Sequence, residues 1–355
     1  PAGPTMADVK ALFTDCNDIT VDSTCVVSGT DCEWTALYIY TLTDACGNTF
    51  KDTVTYSGGD KTAPTFTAPT DITVYKTSTC GFDVNLSVTG DVTDESDNCS
   101  TGLNATRVDS VMYNLCEGSF SIKRTWSLAD NCGNTADKQV QIITVSDTTR
   151  PTFTRPADIV IYKDASCGYD ASTSITGDVI DEADNCSTGI QAVFADDTTA
   201  GSCQGEIIIK RTWSLVDACD NAAEDQVQII TVKDTIAPTF TVPADIVIYK
   251  DATCSYDADT AVTHSVPTNV ADNCSDIDHI TVSYSDVTAD GDCQGQTVIT
   301  RTWTVTDACG NESVAQTQTI TVKDTIAPTF TAPLSTTIYK DASCNYNADV
   351  TITGD

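Results

Sequence analysis

KRTWSLVDACDN, residues 210–221, is the stretch on which the fold turns, and it recurs as KRTWSLADNCGN at 123–134 and TRTWTVTDACGN at 300–311. EIII (206–209) precedes it, and DQVQIITV (225–232) follows after a polar gap. These segments, like DIVIYK at 158–163, run or alternate in Val, Ile, Thr and aromatics, and Gly, Asp, Asn and Pro separate them. That is the grammar of short strands, without an apolar stripe at the helical period of about 3.6 residues. Trp126, Trp213 and Trp303 on such strands are expected to fill a core between sheets rather than stack on a ligand. Arg124, Arg211 and Arg301, two residues earlier, fall on the same face and are expected to pair with acidic neighbours or stack on a ring.

A second block extends the repeat. DTTRPTFTRPADIVIYKDASC (147–167), DTIAPTFTVPADIVIYKDATC (234–254) and DTIAPTFTAPLSTTIYKDASC (324–344) are near copies, 87 and 90 residues apart. An earlier YTLTDACGN ends at Asn48, with Tyr40 where the others carry Trp. The chain reads as a partial module (1–61), three complete modules (62–148, 149–235, 236–325) and the start of another (326–355), a window expected to belong to a longer polypeptide. Units of this length suit an all-β fold of tandem immunoglobulin-like sandwiches, about seven strands each, stacked end to end with two disulfides per module. At about 3.3 Å per residue each would add on the order of 35–45 Å to a semi-rigid rod, its linkers stiffened by Pro64, Pro151, Pro238 and Pro328.

The composition narrows the function. The 355 residues carry a formal net charge of −33, which excludes nucleic acid and anionic membrane as partners. Only seven of the 51 acidic residues are Glu; the excess of Asp, a turn and cap former, argues against long helices. Apolar residues make up 40%, enough for packed cores, but in runs too short to span a bilayer. Nothing at Pro1 resembles a leader, so a secretion signal is expected outside this sequence.

Seventeen cysteines place the chain in an oxidising, extracellular setting. Three quartets repeat: Cys80, Cys99, Cys116, Cys132; Cys167, Cys186, Cys203, Cys219; and Cys254, Cys274, Cys293, Cys309. Structural zinc would want pairs about two to four residues apart, and none exists. If successive strands alternate in direction, the first and third cysteines of a module lie at one end and the second and fourth at the other. That predicts Cys80–Cys116, Cys99–Cys132, Cys167–Cys203, Cys186–Cys219, Cys254–Cys293 and Cys274–Cys309. The irregular first module suggests Cys16–Cys46 and leaves Cys25 and Cys32 unassigned, while Cys344 is expected to pair beyond Asp355.

The same strand directions bring the linker aspartates Asp60, Asp147 and Asp234 beside the loops of the module that follows. Those loops hold Asp97, Asn98, Asp130 and Asn134, then Asp184, Asn185, Asp217 and Asn221, then Asp272, Asn273, Asp307 and Asn311. Two readings stand. D-x-C-G-N is a hairpin turn, with Gly133 and Gly310 at positive φ and Asp220 tolerated there. Alternatively the turn also helps to hold Ca²⁺, which takes about six to eight oxygen ligands and would relieve the acidic repulsion. His264 and His279 have no counterparts in other modules and are expected on the surface. Asn98, Asn104, Asn185 and Asn311 open N-glycosylation sequons, which arise readily by chance in Asn-rich loops.

The pattern R-T-W-x-x-x-D-x-C-G-N, followed by Q-x-I-x-V-x-D-T-x-x-P, resembles the immunoglobulin-like and hyalin-type repeats of giant Bacteroidota surface proteins. These include gliding-motility adhesins exported by type IX secretion. The resemblance covers residues 62–325 and implies a long extracellular or cell-surface protein acting in adhesion, gliding or cell capture. It also implies O-glycosylation at Asp-Thr linkers, which points to Thr148, Thr235 and Thr325; Asp60-Lys61-Thr62 departs from that motif. The chain is therefore read as a non-enzymatic structural and adhesive rod, its partners its own neighbouring modules and further copies in a fibre. Two alternatives are glycan- or protein-binding modules and the stalk of a secreted enzyme. No repeating nucleophile–base constellation or phosphate loop argues for catalysis.

Overall fold

The computed structural model describes residues 3–13, 18–332 and 334–346. The chain divides into two compact units. One holds Pro1–Arg155, Val179–Phe194 and Thr212–Gln226; the other holds Pro156–Asp178, Ala195–Arg211 and Val227–Asp355. The fold is all-β and immunoglobulin-like, and the helices among the described residues are no longer than the five residues of α1 (Met6–Lys10).

In the first unit, β1 (Thr20–Gly29), β2 (Trp34–Thr43) and β3 (Thr49–Gly58) form an antiparallel meander. The next repeat supplies β4 (Ile72–Tyr75), the one-turn α2 (Leu86–Thr89), β5 (Thr106–Cys116), β6 (Ser119–Ser127) and β7 (Gln139–Ser146), in the sheet order β4-β7-β6-β5. The first strand of the repeat pairs parallel with the last (Ile72↔Ile143), while β5–β6 and β6–β7 are antiparallel. The third repeat contributes β8 (Ile159–Tyr162), α3 (Thr173–Thr176), β9 (Val193–Ala200), β10 (Ile207–Ser214) and β11 (Gln226–Lys233), again ordered β8-β11-β10-β9. The second unit completes the series with β12 (Thr239–Thr241), β13 (Ile246–Tyr249), α4 (Thr260–Thr263), β14 (Thr268–Ala271), β15 (Thr281–Asp290), β16 (Thr297–Thr306) and β17 (Gln316–Lys323). Its main sheet runs β13-β17-β16-β15.

The RTW strand is the hub of each repeat. Trp126 is fully buried and packs with Phe66, Val92 and Leu128, while Ile122 on the same strand packs with Val74, Ile143 and Val145. Trp213 and Trp303 repeat the arrangement, so the tryptophans are core residues. Tyr40, in the Trp position of the first repeat, is buried as well and spends its hydroxyl on the carbonyl of Pro4 at 2.9 Å. The linker prolines Pro64, Pro151 and Pro238 and the phenylalanines two residues on are buried, so the linker belongs to the core of the repeat it opens.

Between the two core clusters lies a buried charge. Arg124 is 1% exposed; its Nε and Nη2 donate to Asp109 at 2.8 and 2.9 Å, Nη1 donates to Thr89 Oγ1, and Nη2 also donates to the Val84 carbonyl. Arg211–Asp196 and Arg301–Asp286 are the equivalents, as the pairing of Arg with acidic neighbours required. Gln141, also fully buried, donates to the carbonyls of Thr70 and Thr89, which ties β7 to the linker and to α2. Neither Gln141 nor Thr89 stood out in the sequence, because a lone Gln or Thr on a strand reads as solvent-facing.

The disulfides correct the sequence expectation. Among the described residues five bonds form: Cys32–Cys132, Cys80–Cys186, Cys116–Cys219, Cys167–Cys274 and Cys203–Cys309. Every one joins a repeat to the next, across 100–107 residues of sequence. The predicted pairs Cys80–Cys116, Cys99–Cys132, Cys167–Cys203, Cys186–Cys219, Cys254–Cys293 and Cys274–Cys309 are all absent. The assignment of cysteines to sheet ends holds; the error lies in what each end faces. The first and third cysteines of one repeat meet the second and fourth of the next, because loops of successive repeats interlock there. Asn185 Nδ2 donates to the Thr77 carbonyl at 2.9 Å, and Thr188 Oγ1 donates to Glu117 Oε1 at 2.9 Å. Cys25, Cys46, Cys99, Cys254, Cys293 and Cys344 are free and exposed, and Cys16 lies outside the described residues.

Candidate metal centre at the repeat joints

Each joint is built from three loops. Asp147 follows β7 directly; its N–H donates to Ser119 Oγ (2.8 Å) and its Oδ1 accepts from Thr149 N (3.1 Å) and Asn185 Nδ2 (3.3 Å). The D-N-C loop supplies Asp184, whose Oδ2 accepts from the N–H groups of Cys186 and Ser187 at 2.9 and 2.8 Å. The D-x-C loop supplies Asp217, whose Oδ1 accepts from Cys219 N and Asn221 N and whose Oδ2 accepts from Asn221 Nδ2. One oxygen from each of Asp147, Asp184 and Asp217 lies within 4.8 Å of the others. Asp234, Asp272 and Asp307 converge in the same way in the second unit.

Three oxygens at each of these joints remain unused. Asp147 is 3% exposed, and its Oδ2, with Asp184 Oδ1 and Asn185 Oδ1, is buried without a hydrogen-bond partner. Asp234 Oδ2, Asp272 Oδ1 and Asn273 Oδ1 repeat the set. Buried carboxylate oxygens without partners are costly, and a hard divalent cation satisfies several at once. The residues present therefore fit Ca²⁺, and the clusters are compatible with it. The amide nitrogens of Asn134, Asn221 and Asn311 are spent on the turn aspartate and, at 3.3 Å, on the linker carbonyl of Asp60, Asp147 or Asp234. They shape the joint through the aspartates they hold.

The turn geometry is as expected. Gly133 and Gly310 sit at φ 87° and Asp220 at 65°. Burial opposes ionisation of Asp130, but the Asn134 side chain and the N–H groups of Asn134 and Cys132 outweigh it and hold its carboxyl below the ordinary value.

The joint at Asp60 departs from this plan. The group that converges there is Asp60, Asp130 and the sulphur of Cys132, which is bonded to Cys32. Asp97, whose Oδ1 is buried and unpartnered like Asp60 Oδ2, is not part of that group; Asn98 is exposed, and its Nδ2 donates to Asp60 Oδ1 and Cys99 Sγ as Asn273 Nδ2 does to Asp234 Oδ1 and Cys274 Sγ. A glycine that the sequence reading passed over also shapes the later joints. Gly118 (φ 94°) and Gly205 (φ 101°) follow the third cysteine by two residues, and a Cβ there would stand 2.6 and 2.8 Å from Cys186 Cβ and Cys274 Cβ. In the first repeat Trp34 occupies that place after Cys32. The spacing C-x-G was the available signal.

Among the other candidates, Thr148, Thr235 and Thr325 are exposed, as are His264 and His279. Asn185 holds the Thr77 carbonyl with the amide that a glycan would have to occupy.

No protein-family model matches the chain, and no curated protein matches its sequence. Among solved structures, the PcdhgB3 EC1-4 fragment is 13% identical, with 84% of each chain covered and a TM-score of 0.26. A Ca²⁺-stabilized, ice-binding adhesin of an Antarctic bacterium is 15% identical over 81% of this chain and 82% of its own, with a TM-score of 0.22. Drosophila N-cadherin EC1-3 is 13% identical over 57% and 77%, with a TM-score of 0.19. At such scores the likeness carries no argument about what this chain binds.

Proposed function

We propose that this chain is a non-catalytic structural and adhesive repeat region of an extracellular bacterial surface protein, with Ca²⁺ bound at its joints. The observation that carries the reading is the cross-repeat disulfide pattern. A structural disulfide needs an oxidising compartment, and bonds that join each repeat to the next suit a chain that transmits tension. The resemblance to Bacteroidota repeats sets this in a surface fibre, exported by type IX secretion, for adhesion, gliding or cell capture. O-glycans on Thr148, Thr235 and Thr325 belong to the same proposal. The ions are held by Asp147, Asp184, Asn185 and Asp217 and by Asp234, Asp272, Asn273 and Asp307.

Single-molecule pulling tests the reading. At roughly 3.3–3.6 Å per residue, a disulfide that spans about a hundred residues hides on the order of 350 Å of chain from extension. The unreduced chain in millimolar Ca²⁺ is expected to resist as short, stiff steps, with weaker steps in EDTA and long extensions only after reduction. Equal extensions and forces in all three conditions would remove the mechanical role.

A further inference from the structure

The joints also carry a coupling between their two kinds of cross-link. Both acceptor cysteines of a repeat sit inside the ligand loops. Cys186 follows Asp184 and Asn185 directly, and Cys219 lies between Asp217 and Asn221. Cys274 and Cys309 stand in the same relation to Asp272, Asn273, Asp307 and Asn311. Each disulfide therefore fixes one ligand loop against the preceding repeat: Cys80–Cys186 fixes the D-N-C loop and Cys116–Cys219 the D-x-C loop.

We infer that the disulfides and the cation at each joint are thermodynamically linked: the closed disulfide pair preorganises the site, and the bound divalent cation protects that pair from reduction. The inference rests on the cation reading above and names its regulation. The redox step is thiol–disulfide exchange with an external dithiol. The dithiol's two thiols reduce Cys80–Cys186 to two free thiols and leave as a cyclic disulfide, so electrons and protons balance. Loss of the groups that orient metal ligands typically costs about 10–100-fold in affinity. Reciprocity gives the same factor, in the opposite direction, for the dithiol-to-disulfide ratio needed to open the bonds when the site is saturated.

The experiment is calcium titration of the oxidised chain by calorimetry, beside the variant Cys80→Ser/Cys186→Ser. The site at Asp234, whose disulfides the variant keeps, serves as its internal control for folding. The expected result is about a 10–100-fold weaker site at Asp147 and an unchanged site at Asp234. Equal affinity at both sites in variant and parent would overturn the coupling while the cation reading survives; no heat from the oxidised parent would overturn both. A second measurement needs no variant. Thiol mapping of the parent in a graded dithiol buffer is expected to show Cys186 and Cys274 opening at higher dithiol in Ca²⁺ than in EDTA, with Cys32–Cys132 shifted less. Identical opening in both buffers also overturns the coupling.

Discussion

The joint at Asp60 and the joint at Asp147 are made from the same sequence grammar and end up differently. The second has two disulfides, Asn185 locked on the Thr77 carbonyl and three convergent aspartates. The first has one disulfide, a free Cys99 and an exposed Asn98. Trp34 stands where the second has Gly118, whose close approach to Cys186 leaves no room for a side chain.

That comparison breaks most completely on the covalent map. Peptide mapping of the unreduced chain is expected to recover Cys80–Cys186 and Cys116–Cys219 in full and to find Cys99 alkylated; recovery of Cys80–Cys116 would restore separate modules. The next largest effect belongs to Ca²⁺ itself. Micromolar sites add about 4 kcal/mol each at millimolar ion, so melting in Ca²⁺ against EDTA should shift strongly in the parent. Asp147→Asn should lose more of that shift than Asp60→Asn; equal losses would erase the distinction between the joints. Arg124→Met strips its hydrogen bonds to Asp109, Thr89 Oγ1 and the Val84 carbonyl from the repeat that both joints share, at a cost of about 1–3 kcal/mol in denaturant unfolding. It should weaken both joints together.

Smaller effects sharpen the picture. Gly118→Ala, forced to positive φ and against Cys186, should cost about 1–2 kcal/mol from backbone strain alone and leave Cys186 partly open to alkylation. The same change at Gly47 (φ 84°), where nothing lies within 4 Å, should cost the strain without opening a disulfide. Acid gives a last, modest test. The Arg124 hydrogen bond holds the Asp109 carboxyl below its ordinary value, so its contribution is complete above the unfolded carboxylate range of about pH 4 and is lost as pH falls through the lower folded value. Arg124→Met should flatten that acid limb of the stability curve.

Strand content, the repeat, the buried tryptophans and the alternation of sheet ends were all legible, because period-two patterning and turn residues are local signals. Asp147, Asp184, Asn185 and Asp217 were legible as a candidate group for the same reason: strand direction alone brings them to one end. The disulfide partners were not. In a chain of near-identical repeats, a cysteine spacing is the same measured within a repeat or against the next, so pairing is degenerate in sequence. Only the interlocking of the Thr77 and Asn185 loops, and the approach of Gly118 to Cys186, lifts the degeneracy. The sequence by itself determined what each repeat is. The tertiary structure decided how one repeat is fastened to the next, because that choice depends on steric fit between loops about a hundred residues apart.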